Sequence, residues 1–173
     1  MQIRNAHSGD LPAILEIYND VIATTTAIFA ETPVTFENRT RWLARQTERD
    51  LPVLVAVEGE AVLGFASFGP FRDWPCYRDT VEHSVHVRAD CRGRMIGSRL
   101  VEALLAIADR LGKHVMVAGI EAGNQASIAM HARLGFEAVG HLREVGRKFG
   151  HPLDLIFVHR FVRPKPRFGE HEG

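Results

Sequence analysis

Residues 80–121 constrain the fold of this 173-residue chain more than any other stretch. "TVEHSVHV" (80–87) alternates as a strand does: Val81, His83, Val85 and Val87 share one face, and Glu82, Ser84 and His86 share the other. "RADCRGRMIGSRL" (88–100) then puts Arg92, Gly93, Arg94 and Gly97 on a turn. Leu100, Val101, Leu104, Leu105, Ala108 and Leu111 repeat at helical spacing up to Gly112. "VMVAGIE" (115–121) is a buried-strand candidate. Strand (80–87), turn (88–96), helix (97–111) and strand (115–121) make a crossover unit, and such a unit requires a parallel pair in the sheet.

The rest of the chain is read around that unit. "QIRNAH" is a short strand, and Asp10 is placed to cap a helix with Pro12 in its first turn. Leu11, Ile14, Leu15, Tyr18, Val21 and Ile22 keep helical spacing. "TTTAIFAETPVT" is a loop or irregular extended segment, and "FENRTRWLARQTERD" is a polar helix with a thin apolar stripe. "VLVAV" and "AVLGFASF" are strands joined by the turn "EGE". "GPFRDWPCYRD" is a loop, Asn124 caps a short helix "QASIAMHARL" that ends at Gly135, and "FEAVGHL" and "LDLIFVHRFV" are the last strands. The sum is an α/β fold with a mixed sheet.

Composition narrows the class. Apolar residues make up 46 % and charged residues 24 %, and the length suits one domain, placed at 1–162, with 163–173 as a flexible tail. Formal net charge is zero, which gives no case for nucleic acid or an anionic membrane. Two cysteines form no disulfide framework, so a reducing cytoplasm is expected. No apolar run is long enough to span a bilayer. Metal binding is not expected, because His83 and His86 point to opposite faces of their strand and no paired-ligand motif occurs.

The turn at 88–96 has two readings. The first turn of a helix offers unpaired N–H groups and partial positive charge, glycines allow close approach, and Arg92 and Arg94 add cations: this is how a pyrophosphate is held. The other reading is an ordinary helix start with incidental arginines. Met95 stands where another glycine is expected; with a negative φ its N–H would still face the cradle.

The company this turn keeps resembles the GNAT superfamily of acyl-CoA N-acyltransferases. Arg92, Met95 and Gly97 fall on that family's loop pattern, and Asn124 with "SIAMHARLGF" resembles its second cofactor motif. "IYND", "TAIFAETPV", "NRTRWL", "TVEHSVHV", "HVMVAGIEAGNQAS" and "VGRKFGHPLDL" resemble the phosphinothricin and methionine sulfoximine acetyltransferase branch. The resemblance implies a mixed, mostly antiparallel sheet flanked by helices, with a splayed parallel pair holding acetyl-CoA. Pantetheine would pair with the backbone of Val85, His86 and Val87, and the pyrophosphate would sit on the amides of Arg92, Gly93, Arg94, Met95, Ile96, Gly97 and Ser98. Asn124 would contact the cofactor further along.

Acetyl transfer to an amine needs a neutral amine and a proton for the leaving thiolate. Glu82 is the carboxylate within the cofactor strand and the candidate base; a simple ion pair with Arg72 or Arg78 is the competing reading. His131 stands where many relatives have a tyrosine donor, and is either the acid or a satisfied core histidine. On the acceptor side, Arg72, Arg78 and Lys148 could meet a carboxylate or tetrahedral group, with Phe29, Phe71, Trp74, Cys76 and Tyr77 as walls or packing. Arg72 is favoured for bidentate pairing. The expected activity is N-acetylation of a small amino-acid analogue, by direct attack, in a homodimer, since "FASFGPFRDWPCY" and the C-terminal strands carry more apolar residues than a small monomer easily covers. A non-catalytic acyl-CoA-binding module, or an enzyme for protein N-termini or polyamines, are the rivals.

Overall fold

In the computed structural model, residues 1–163 are described; most of the expected tail lies outside them. The strands are β1 (Gln2–Asn5), β2 (Val53–Glu58), β3 (Ala61–Pro70), β4 (Thr80–Val87), β5 (Val115–Glu121), β6 (Glu137–Lys148) and β7 (His151–Phe161). The helices are α1 (Leu11–Thr24), α2 (Phe36–Glu48), α3 (Ile96–Arg110) and α4 (Gln125–Arg133). One seven-stranded sheet runs in the order β1-β2-β3-β4-β5-β7-β6. All pairs are antiparallel except β4 with β5, the pair that the crossover demanded.

Alternation along β2 sorts the core into two layers. Val55 and Val57 join Phe65, Ile14 and Ile17 on the α1 side, where Trp42 of α2 also packs. Leu54 and Ala56 join Leu63, Ala66, Phe68 and the α3 residues Leu100, Val101, Leu104 and Ala108 on the other. Burying a Leu or Phe side chain contributes roughly 1.5–3 kcal/mol, so both faces of the central strands are stabilised. A pleat with two covered faces reads as a continuous apolar run, which is what "VLVAV" is.

Four local expectations are corrected. Asp10 makes no cap to α1; its carboxylate accepts instead from His7 N at 2.9 Å and from both Arg4 amines, closing a capping box around the preceding turn. Leu111 is the residue after α3 and is 45 % exposed, because the helix has already ended on the left-handed Gly112. "FASF" is wholly buried, so it offers no surface to a second copy. β6 continues six residues past its expected end at Leu142, to Lys148. It turns there through Phe149 and Gly150, both with positive φ, the two-residue loop whose twist suits a hairpin. A bulge between Leu142 and Gly146, where Glu144 has φ 51°, broke the alternation that would have revealed the extension.

Candidate active site

β4 and β5 pair only over Thr80–Glu82 and Val115–Val117, then part. On its other side β4 remains bonded to β3 through Val87, so the edge of residues 83–87 that faces β5 has no ladder partner among the described residues. A groove of about 330 Å³ runs from this split along Val85 and Val87 to Arg92, Gly93, Met95, Gly97 and Ser98, with Asn124 and Met130 opposite. A second, of about 340 Å³, shares Val85, Val87, Arg92 and Asn124 and adds His86, Thr26 and Glu121.

The turn supplies donors. The first i→i−4 bond of α3 is Arg99 N to Met95 O, at 3.1 Å, so the amides of 95–98 precede the helical ladder. Met95 does not have the negative φ expected of it: it is left-handed at 59°, with its side chain 71 % exposed. The side chain is thus turned out to solvent and the helix begins one residue early. A Cβ on Gly97 would come within 3.1 Å of Met130 Sδ, and Gly93 has φ 78°, so each glycine has a reason for being there. Arg92 lines both grooves, whereas the Arg94 guanidinium is held 3.0 Å from each Glu58 oxygen, away from them. Asn124 caps α4, accepting from Ser127 N at 3.1 Å. These unpaired amides, the cation and the open strand edge fit an anionic, amide-bearing ligand such as a coenzyme A thioester.

Glu82 sits where the strands part, on the α1 side of the sheet. Its Oε2 is 3.7 Å from Arg72 Nη1, and its Oε1 lies 3.7 Å from where Gly119 would carry a Cβ. Burial pushes its carboxyl above the usual carboxylate range, and the Arg72 guanidinium pulls it part of the way back. Phe71 and Tyr77 stack edge to face at 5.6 Å and line an apolar groove of about 390 Å³ with Val117 and Phe157 on the same side of the sheet.

The other side of the split is closed by two histidines. His131 is 2 % exposed; its Nδ1 is 2.8 Å from Ser127 O and its Nε2 is 3.2 Å from His83 Nε2. A carbonyl only accepts, so Nδ1 of His131 carries the proton and His83 donates between the rings; this tautomer is assigned from the partners. Burial lowers the pKa of both rings, that of His83 to about 3, which keeps them neutral. Among the described residues, His83 Nδ1 is left buried without a hydrogen-bond partner. Burial also holds His86 at about 4, against Tyr18 and Phe65.

The remaining acceptor-side candidates divide. Phe29 packs over Gly146 of β6. Trp74 is 75 % exposed, Cys76 is exposed, and Arg78 turns to Asp79 at 3.9 Å; none of them lines the groove beside Glu82. Lys148 is buried, and its ammonium donates to Ile28 O at 2.8 Å, so it is not free to meet a carboxylate. Sequence reasoning missed His83, Ser127 and Gly119. The alternation put His83 on the inner face, but its partner lies 48 residues away on another element.

Residues 14–136 match the acetyltransferase (GNAT) family. The chain is 50 % identical over 163 residues to an L-methionine sulfoximine/L-methionine sulfone acetyltransferase of Pseudomonas aeruginosa, covering 94 % of this chain and 95 % of the relative. It is 46 % identical over 158 residues to the L-amino acid N-acyltransferase MnaT of Escherichia coli, covering 91 % and 92 %. A phosphinothricin acetyltransferase structure from Sinorhizobium meliloti in complex with acetyl-CoA superposes with a TM-score of 0.91 at 33 % identity, covering 97 % of this chain and 94 % of that one. With the parted strands and the amide-lined turn, these matches establish that the chain belongs to the GNAT acetyltransferase family.

Proposed function

We propose that the chain moves the acetyl group of acetyl-CoA to the α-amine of a small amino-acid analogue of the methionine sulfoximine, methionine sulfone or phosphinothricin kind. The observation that carries this is the split: a free strand edge leading from the amide-lined turn to a half-buried carboxylate beside an arginine. The amides of 95–98, Arg92 and Asn124 hold the phosphate end, and residues 85–87 of β4 offer their backbone to the amide-bearing arm. Acetyl-CoA supplies the activated acetyl group. Glu82 takes the proton from the acceptor ammonium, directly or through water, and Arg72 meets the acceptor carboxylate. The amine then attacks directly. Both nitrogens of His131 are engaged, so it closes the floor of the split; as the tetrahedral adduct collapses, the thiolate leaves with the second proton of the amine, while Glu82 passes the first to solvent. Acetylation removes the cation by which such analogues resemble amino acids, so the activity would confer resistance to them in a reducing cytoplasm. Among the described residues no helix is long and apolar enough to cross a membrane.

Thiol release from acetyl-CoA, measured with methionine sulfone, methionine sulfoximine, phosphinothricin, a polyamine and an N-terminal peptide, tests this. Release with the first three supports the reading. Release only with the last two, or binding of acetyl-CoA without release, overturns it in favour of the corresponding rival.

Met95→Gly gives a second test. Left-handed backbone costs a non-glycine residue roughly 1–2 kcal/mol, and added chain entropy offsets part of the relief. The variant should gain up to about 1 kcal/mol, a rise in Tm of about 2–4 °C. Because the methionine side chain faces solvent, acetyl-CoA affinity should change by less than about tenfold, or 1.4 kcal/mol. Calorimetric titration checks this, and a larger gain would mean that Met95 obstructs the turn.

The sheet ends at β6, where Val139, Leu142 and Val145 are between 43 % and 54 % exposed, as is Phe149 in the turn that follows. An apolar outer strand is a surface that chains usually cover, and it supports a homodimer. Sedimentation should give about twice the 19.3 kDa of one chain.

A further inference from the structure

Segment 25–35 follows α1 and has no regular structure, yet it is fastened at both ends and in the middle. Thr26 Oγ1 donates to Glu121 Oε2 at 2.7 Å, at the end of β5. Lys148 Nζ donates to Ile28 O at 2.8 Å, and Phe149 N donates to Glu31 Oε1 at 3.1 Å, both from the β6–β7 hairpin. Asn19 holds Val34 by two bonds, of 3.0 and 2.9 Å. Glu121 lies opposite Leu155 of β7, and Gly146 of β6 lies opposite Leu153. The segment therefore crosses from β5 over β7 to β6, on the face that carries Gly119 and Glu82.

At the far side of that crossing is a steric fact. A Cβ on Gly146 would lie 2.4 Å from Phe29 Cδ2 and 2.5 Å from Cε2, where real Cβ atoms do not go. The aromatic ring occupies the place of the missing side chain. Gly146 does not have a positive φ, so the backbone does not require glycine there. Its absence of a side chain serves the ring. On that face Glu82, Leu155 and Phe157 meet over Gly119; Phe71 and Tyr77 line a groove with Val117 and Phe157 on one side, and Ala27 of the segment lines a pocket with Ser84 and Gly119 on the other.

We infer that Gly146 is a specificity-determining residue that acts through Phe29: it lets the ring seat against β6, and the seated ring closes the acceptor bed to anything longer than a single amino acid. Gly146 touches no substrate and is a positioning residue. The inference rests on the functional reading above, in that the bed beside Glu82 is taken as the acceptor site.

Three variants test it: Gly146→Ala, Phe29→Leu and the double variant. Gly146→Ala should raise the KM for methionine sulfone about tenfold, since a displacement of about 1 Å near a reacting centre costs up to 10²-fold. It should lower the preference for methionine sulfone over a methionyl dipeptide, and leave the acetyl-CoA Kd by calorimetry within about twofold, because Phe29 and Gly146 line neither groove that reaches Arg92. Gly146→Ala should also lower Tm, and the smaller side chain of Phe29→Leu should restore it in the double variant, whose KM is no worse than that of the poorer single variant. A Gly146→Ala enzyme with the parent's acceptor KM and preference, or losses that simply add in the double variant, overturns the inference. A parent chain that releases no thiol with any amino-acid acceptor overturns the functional reading instead.

Discussion

Glu82→Gln should lower turnover at neutral pH by about 10²–10⁴, the usual worth of a general base, while acetyl-CoA affinity stays unchanged. The glutamine keeps the shape of the side chain over Gly119 but cannot take a proton. The pH profile carries the stronger test. Burial raises the Glu82 carboxyl, so the parent's kcat/KM should fall as pH drops through a value above the ordinary glutamate range. The variant should lose that limb and regain part of its rate in alkaline buffer, where the acceptor amine deprotonates without help. Linkage adds a readout independent of activity. A carboxyl whose folded pKa lies above its unfolded one destabilises the fold where it is ionised, at pH values above both, and this cost vanishes in acid. Removing the charge should therefore leave Tm at pH 7 equal or higher. An unchanged rate profile would take Glu82 out of the mechanism, and a large drop in Tm would mean that its main part is structural.

The second large effect concerns Asp10, a residue with no part in the chemistry. Its carboxylate is 5 % exposed and is bound bidentately by Arg4 at 2.7 and 2.8 Å, with His7 N at 2.9 Å. Removing one partner of a buried pair costs about 3–5 kcal/mol, and because Arg4 can rehydrate, the lower end applies. Asp10→Ala should cost about 3 kcal/mol, or a fall in Tm of about 6–12 °C. The Arg4 guanidinium, helped by the His7 amide, holds the Asp10 carboxyl below its ordinary value against the opposing effect of burial. A depressed folded pKa gives stability that is fully present above the unfolded value of about 3.9 and is lost as pH falls through the folded one. The parent should therefore lose stability below about pH 4 more steeply than the variant, and their urea-unfolding free energies should converge there. Parallel curves would show that the cost at neutral pH comes from packing and not from the charge.

Much of the fold was legible because it is written in local periodicity. The bounds of β4 and β5 follow from alternation and an apolar run, and α3 follows from its spacing and Gly112. The parallel pair follows from the chain length between the two strands. Where local signals were weak, the reading failed. A bulge disguised the second half of β6. Asp10 had a cap's chemistry but a closer, stronger partner in Arg4. Met95 carried no sign of its left-handed backbone, since that conformation is common only for glycine.

The candidate site divides along the same line. The sequence by itself determined the crossover, the amide-rich turn with Arg92 and Gly97, the capping Asn124 and the place of Glu82 on the face opposite His83, because each depends on residues within a turn or a strand of one another. Only the tertiary structure decided which polar groups were already engaged: Arg94 by Glu58, Lys148 by the Ile28 carbonyl, and His131 by Ser127 and His83. It alone placed Phe29 in the space that Gly146 leaves open. Most of these partners lie 36 to 120 residues apart, and a side chain's freedom to act depends on which group reaches it first in three dimensions.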